Sequence, residues 1–197
     1  MTIENTFLRL TFFTLILTWL SFSLRAQEGF VLEADSFNYR ITFPQEPVAN
    51  NSIMRSPKGK IYINSYFYKT GEDSAEDNLL FLVNYTKYPA EATDWHSEEE
   101  RKNLFRGAVD GFVASVRGEL VREEEVEFSG YPGRKVQVKT ADEILLFNVR
   151  IYMVDDKLYL LQVASKIEAY PNEEADAFLD SFSFLGPFEA LPEKDDK

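Results

Sequence analysis

The sequence predicts an α+β domain, with a central antiparallel β-sheet that carries one long helix and one short C-terminal helix. Strand-length stretches of alternating apolar and polar residues lie on both sides of a single long segment of helical period. Short connections rich in Gly, Pro, Asn and Asp join these stretches, and such connections favour antiparallel neighbours. A second, shorter helical segment follows the last strand.

The chain begins with a segment that is typical of a signal peptide. Arg9 precedes an apolar run, 10–24, that falls short of the ~20 residues that span a bilayer. Small Ala26 predicts cleavage after it, with a periplasmic or secreted product; an uncleaved N-terminal anchor is the alternative. We therefore divide the chain into a signal peptide (1–26), an N-terminal extension (27–36), one domain (37–186) and a flexible acidic tail (187–197).

Composition excludes several kinds of protein. No cysteine is present, which excludes disulfides, thiolate metal sites and a lipid-modified cysteine. The net charge of −12 excludes a nucleic-acid partner, which would need clustered Lys and Arg, and disfavours anionic membranes. We expect no cofactor and no stable membrane insertion after cleavage. The acidic balance is compatible with basic proteins or cations as partners.

The N-terminal half reads as three strands and two loops. Residues 37–43 alternate strictly, and Pro44 and Pro47 end this strand because proline cannot donate to a ladder. The polar stretch up to Gly59 is interpreted as a surface loop, and strands follow at 61–69 and 79–88. The acidic connection 70–78 lacks the register of a calcium loop, so we interpret it as an exposed hairpin loop; cation binding there is the alternative.

A capping box predicts the start of the long helix. Ser97 is followed three residues later by Glu100, and three glutamates in the first turn suit the positive end of the helix dipole. Gly118 is predicted to end the helix. One broad apolar stripe must then pack on the sheet, formed by Leu104, Phe105, Ala108, Val109, Phe112, Val113 and Val116.

A hairpin over 123–140 follows the helix. The run Gly130-Tyr131-Pro132-Gly133 favours chain reversal and predicts a turn that is symmetric about Tyr131. That register places Val126 opposite Val136, Phe128 opposite Arg134, Glu127 opposite Lys135 and Glu123 opposite Lys139, with one face apolar and the other salt-paired.

The chain then forms a second hairpin and a short helix. Two alternating strands over 144–164 enclose the tight turn Asp155-Asp156, which completes a four-stranded meander with the first hairpin. Asn172 is a predicted N-cap. The short helix places Ala175, Phe178, Leu179 and Phe182 toward the sheet.

Four residues are candidates for ligand or partner contact: Trp95, His96, Tyr131 and Arg134. Trp95 and His96 lie on the connection that leads into the long helix, where binding residues often occur. The alternative for Trp95 is a hydrophobic staple on its own helix. Arg134 beside Tyr131 would contact an anion or ligand, or would be a solvated arginine at a hairpin tip.

Residues that would indicate an enzyme are few. His96 is the only histidine, and no Gly-x-Ser-x-Gly, phosphate loop or dinucleotide fingerprint occurs. Multi-histidine metal centres are excluded by the same count. Asp and Glu are numerous enough for a carboxylate pair, but no spacing singles one out.

The order of several segments resembles a known family. Phe-x-Tyr-x-Ile-x-Phe-Pro at 37–44, Gly-Tyr-Pro-Gly-Arg at 130–134 and Phe-Leu-Asp-Ser-Phe at 178–182 are similar to exported, uncharacterised bacterial proteins related to the PsbP family of photosystem II. The resemblance implies an α/β/α sandwich. PsbP supports the calcium and chloride of the water-oxidising centre, but no motif here allows those functional residues to be transferred.

We therefore expect an exported, non-enzymatic accessory or binding module, monomeric or weakly oligomeric, for a small ligand or an envelope protein. A carboxylate-dependent hydrolase is one alternative, and it requires two acids in a deep pocket with pKa values pushed apart. A scaffold subunit of an envelope assembly is the other, and it requires an exposed apolar patch; burial of Tyr62, Tyr66, Tyr68 and Tyr88 would argue against it.

Overall fold

The structure is a computed structural model that describes residues 29–71 and 75–188. The predicted signal peptide with its cleavage site, the middle of the acidic connection (72–74) and the last nine residues lie outside the described residues.

One large antiparallel sheet contains most of the strands. Seven strands are arranged in the order β3-β4-β5-β9-β8-β7-β6, which leaves β3 and β6 at the two edges. The four strands of the predicted meander lie side by side, and β5 joins them to the N-terminal strands through its pairing with β9. The strands are β3 (Val48–Ser56), β4 (Gly59–Lys69), β5 (Asn78–Lys87), β6 (Gly118–Phe128), β7 (Tyr131–Thr140), β8 (Leu145–Val154) and β9 (Lys157–Lys166).

A second, small sheet was not predicted. It contains β1 (Phe30–Ala34), β2 (Tyr39–Phe43) and β10 (Ser183–Phe184), with β2 in the middle. Since β1 pairs with β2 along its whole length, residues 30–34 belong to the small sheet and not to an extension outside it.

The two helices pack on opposite faces of the large sheet. Helix α1 (Glu98–Ser115) buries Phe105, Val109 and Phe112 against β7 and β8. The other face is covered by the small sheet together with α2 (Glu173–Asp180), which contacts β9, β5 and β2. Helices packed on antiparallel sheets are thus confirmed, with the small sheet as an additional cover. No helix among the described residues is both long enough and apolar enough to span a membrane.

The second face is filled by aromatic side chains. Phe182 lies with its ring centroid 5.6 Å from that of Tyr39 and 5.8 Å from those of Tyr152 and Tyr159. Offset and edge-on ring pairs of this kind contribute stabilisation beyond the area that they bury. The ring cluster comprises Tyr39, Phe43, Phe81, Tyr85, Phe128, Tyr152, Tyr159, Phe178, Phe182 and Phe184.

Two N-terminal boundaries differ from the prediction. Phe37 belongs to a 3₁₀ turn (Asp35–Phe37), because Asn38 adopts a left-handed conformation with φ 58° and breaks the strand before Tyr39. The Asn38 amide donates to the Gly186 carbonyl at 3.0 Å, which holds this break in place. The polar stretch predicted as a surface loop is instead strand β3. Its side chains are exposed on both faces, so it lacks the apolar alternation by which strands are recognised.

The predicted hairpin register is wrong. The turn consists of Ser129 and Gly130, both at positive φ (53° and 84°), so β7 begins at Tyr131 and Phe128 faces it. Two-residue turns of this twist suit hairpins. Pro132 fits within the strand because the pairing of β7 with β8 starts only at Gly133.

The changed register gives new cross-strand partners throughout the hairpin. Glu127 therefore faces Pro132 and not Lys135, and Arg134 faces Glu125 and not Phe128. Val126 faces Gly133, and Glu123 faces Val136.

The end of α1 also differs. Arg117, with φ 49°, takes the left-handed position after the helix, and Gly118 is already the first residue of β6. Gly118 is needed for a different reason, since a Cβ there would lie 2.5 Å from the Val138 side chain. The capping box is half formed: Ser97 Oγ accepts from the Glu100 N–H, while the Glu100 carboxylate accepts from the Thr93 hydroxyl.

Candidate functional site

A cavity of 410 Å³ lies at one end of the large sheet, where three connections meet. The segment that enters α1 forms one wall, the β6–β7 hairpin forms the second, and the β8–β9 turn forms the third. Three of the four predicted contact residues, Trp95, His96 and Tyr131, line this cavity. The other lining residues are Arg101, Val126, Glu127, Gly130, Pro132, Met153 and Asp155.

The first wall is rigid. Trp95 is buried, its indole N–H donates to the Ala90 carbonyl at 2.7 Å, and its ring lies 5.7 Å from that of Tyr88. The Arg101 guanidinium donates from the first turns of α1 to the carbonyls of Trp95 (3.3 Å) and His96 (2.7 Å). These bonds hold the backbone of the wall, and His96 itself is exposed at the cavity.

The second wall is the tip of the hairpin. Tyr131 is half-buried, with its ring 5.8 Å from that of Phe184 and 5.5 Å from that of Phe188. Gly133 lies behind it, and a Cβ at this position would be 2.6 Å from the Tyr152 ring. The missing side chain lets Tyr152 lie against the strand and stack on Phe128 at 4.7 Å, which braces the hairpin from behind.

Arg134 does not reach the cavity. It points to the α1 face, where its guanidinium carbon lies 4.5 Å from the centre of the Phe105 ring. Arg134 Nη2 lies 2.7 Å from Glu125 Oε1, and Arg134 Nε lies 3.4 Å from Glu123 Oε1. With 8% of its surface exposed, Arg134 is neither the free ligand contact nor the solvated arginine that the sequence suggested. Its strand register places it under α1, where it joins β6 and β7 to the helix.

The charged residues of the cavity were not predicted from the sequence. Glu127 and Asp155 both line it, and neither has an ion pair within the described part of the chain. Glu127 was assigned to Lys135 by the wrong register, and Asp155 was recognised only as a turn residue, a role that its φ of 47° confirms. The Arg101 guanidinium keeps its positive charge when it donates to the two carbonyls, so the cavity holds one cation and two carboxylates, and the carboxylates are in excess.

The described residues contain no group of three or more His, Cys, Asp or Glu that could hold a metal ion. Hydrogen bonds lower the pKa of three exposed carboxyl groups: Glu98 by its bond to Lys102, Asp142 by its bond to Thr140 and Glu143 by its bond to Lys139. A general acid needs a raised pKa, so these shifts do not indicate acid–base chemistry.

Comparison with known proteins shows a structural similarity. No protein-family model matches the chain, and a search of curated proteins gives no match. Among solved structures, the solution structure of cyanobacterial PsbP (CyanoP) from Synechocystis sp. PCC 6803 is similar, with a TM-score of 0.51 at 14% sequence identity. The match covers 82% of this chain and 95% of that one. Such a low identity shows the fold alone, and the chain therefore has a PsbP-like fold.

Proposed function

We propose that the protein is an exported, non-enzymatic accessory or binding module, and that its hairpin cavity binds a cationic group. That group would be a lysine or arginine side chain of a partner protein or a small organic amine. The observation that carries the proposal is that Glu127 and Asp155, two carboxylates without an ion pair among the described residues, line the same cavity as Trp95 and Tyr131.

Carboxylates and aromatic rings attract the same kind of ligand. A cation over the face of a tyrosine or tryptophan gains about 0.5–2 kcal/mol, and nearby carboxylates add charge-assisted hydrogen bonds. The chain as a whole carries a net charge of −12, which raises the encounter rate with cations. Trp95 and its bonded backbone supply a preformed wall, so little ordering is required on binding.

The fold supports this reading without assigning a ligand. We interpret the arrangement as the α/β/α sandwich of PsbP-like proteins, in which one outer layer also contains the small sheet. The predicted signal peptide is the basis for proposing an accessory role outside the cytoplasm.

The structure bears differently on the two alternative functions, a hydrolase and a scaffold subunit. The hydrolase reading requires a carboxyl group of raised pKa in a deep pocket; Glu98, Asp142 and Glu143, which are exposed and have lowered pKa values, do not meet this requirement. The scaffold reading is favoured by one specific observation: Tyr62 is 49% exposed and Ile53 is 61% exposed on adjacent strands. Burial of Tyr62, Tyr66, Tyr68 and Tyr88 would argue against this reading, and Tyr62 is exposed.

Calorimetric titration of the purified protein tests the proposal. The probe is Nα-acetyl-lysine methylamide, and the uncharged norleucine analogue of the same shape is the control ligand. We expect the cationic probe to bind, binding to weaken with added salt, and the norleucine analogue to give no heat. The double variant Glu127→Gln/Asp155→Asn should bind at least about tenfold more weakly.

Glu168→Gln provides the matched control, because Glu168 is an exposed carboxylate that does not line the cavity. It should leave the affinity unchanged. Equal affinity in the double variant and the parent protein, or equal binding of the norleucine analogue, would contradict the proposal.

A further inference from the structure

The two edges of the large sheet are built differently. Edge strand β6 carries six charged residues among eleven, five of them glutamates, and its pairing with β7 is interrupted by a register shift between Leu120 and Arg122. Charges and bulges are the means by which proteins prevent a sheet edge from pairing with another chain.

Edge strand β3 has none of these protections along most of its length. It pairs with β4 without a register shift from Val48 to Ser56, contains no proline, and carries a single charge, Arg55, near its end. Eight of its nine residues are exposed. Strand β3 is hydrogen-bonded to β4 along one edge. Its other edge presents unpaired backbone N–H and C=O groups, which can pair with another strand.

Apolar side chains accompany the open edge. Val48 is 59% exposed, Ile53 61% and Met54 52%. A cavity of 550 Å³ opens beside the strand, lined by Ile53 and Tyr62 together with Phe37 and Tyr85. An added strand would therefore gain contacts with apolar side chains as well as backbone hydrogen bonds.

We propose that β3 pairs antiparallel with β3 of a second copy about a two-fold axis, so that two seven-stranded sheets become continuous. Charge supports a second copy as the occupant. An antiparallel pair brings Arg55, at the end of one strand, toward the approach to the other strand, where Glu46 lies. Neither Glu46 nor Arg55 has an ion pair within the described residues. Two β6 edges, in contrast, would oppose rows of glutamates.

A two-fold axis makes this pairing self-limiting. An isologous contact uses the same edge on both copies, so association stops at the dimer. The remaining edges of the joined sheet are then the two protected β6 strands. The inference is independent of cation binding, because the hairpin cavity shares no residue with β3.

The test measures the molar mass of the full chain by light scattering and sedimentation over a range of concentrations. We expect a monomer–dimer equilibrium that Ile53→Lys weakens at least about tenfold, since one lysine from each copy would enter the paired edge. Val121→Lys is the matched control: Val121 is 53% exposed on β6, and the same change there should leave the dimer intact.

Each other outcome overturns the proposal. A monomer at every concentration shows that β3 does not pair. A dimer that persists in both Ile53→Lys and the second edge variant, Ala49→Lys, places the contact elsewhere. Assemblies that grow beyond the dimer and are lost in Val121→Lys show a head-to-tail contact between β3 and β6. Far-UV circular dichroism of each variant confirms that it is folded.

Discussion

The two faces of the large sheet are covered in different ways. One face lies under the small sheet and α2, and its cover is a continuous cluster of aromatic rings in which Phe182 lies within 6 Å of five others. The other face is covered by α1, which lies along β6 and β7 and buries Phe105, Val109 and Phe112 against β7 and β8.

We expect the aromatic face to contribute most to the stability of the fold, and the cavity to contribute to ligand binding. Ring packing fills the core of the first face, and the cavity of 550 Å³ lies at its margin, where Phe37 and Tyr85 meet the edge strand β3. At one end of the sheet, the segment that enters α1 meets the β6–β7 hairpin without filling the space between them, and the cavity with Glu127 and Asp155 lies there. Substitutions in the first face should therefore affect unfolding, and substitutions around the cavity should affect binding.

The largest expected effect is on the aromatic face. Phe182→Ala removes a side chain that is 3% exposed, so we expect a loss of about 3–5 kcal/mol in the free energy of unfolding, measured by urea denaturation. Phe105→Ala, in α1, should cost less, because among the described residues Phe105 has no aromatic ring partner and packs instead on the Arg134 guanidinium. An equal or larger loss for Phe105→Ala would remove the distinction between the two faces.

A smaller effect is expected where the hairpin is braced. Gly133→Ala would place a Cβ 2.6 Å from the Tyr152 ring and 2.8 Å from the Ile151 carbonyl oxygen. We expect a loss of about 1–3 kcal/mol, because the ring and the strand would have to move apart. Gly111→Ala is the control, since its Cβ would meet nothing within 4 Å on α1 and should stabilise the helix by up to ~1 kcal/mol. A neutral Gly133→Ala would contradict the packing of Tyr152 described above.

The smallest expected effect is a loss of stability at alkaline pH. Burial, with a contribution from the Asp156 carboxylate, raises the pKa of Tyr85 to about 12, above the value of about 10 expected in the unfolded chain. The contribution of neutral, buried Tyr85 to the free energy of unfolding is fully present below pH ~10. It is lost as the pH rises toward 12, because only the unfolded chain then ionises. Burial also raises the pKa values of Tyr39 and Tyr159 on this face.

Urea denaturation at pH 8 and pH 11 measures this dependence. Tyr85→Phe should reduce the loss between the two pH values, whereas Tyr62→Phe, at an exposed position, should not. An identical loss in Tyr85→Phe and the parent protein would contradict the assignment.

The strands that alternate and the helices that carry caps could be predicted from the sequence. The Ser97 and Asn172 caps, the Asp155-Asp156 turn and the meander order are all present, because local sequence determines each of them. Strand β3 could not be predicted, since a strand exposed on both faces has no apolar period. Strands β1 and β10 are short and depend on pairing with β2, which is distant from β10 in sequence.

The candidate site was predicted in part for the same reasons. Trp95, His96 and Tyr131 were selected by residue type and position in connections, and the structure brings them together. Arg134 and Glu127 depended on the register of one hairpin, and a shift of the turn to Ser129-Gly130 reversed both assignments. A register error moves side chains to new partners, so sequence alone determines such residues poorly.

The most direct test of the cavity as the binding site is NMR of the labelled protein during titration with Nα-acetyl-lysine methylamide. The Trp95 indole N–H, which is bonded to the Ala90 carbonyl, lies in the cavity wall and reports binding there. We predict a saturable shift of this signal and of the backbone signals of Glu127 and Asp155, with no shift in the Glu127→Gln/Asp155→Asn variant. Shifts confined to other parts of the molecule, or a Trp95 signal that remains unchanged at saturation, would contradict it.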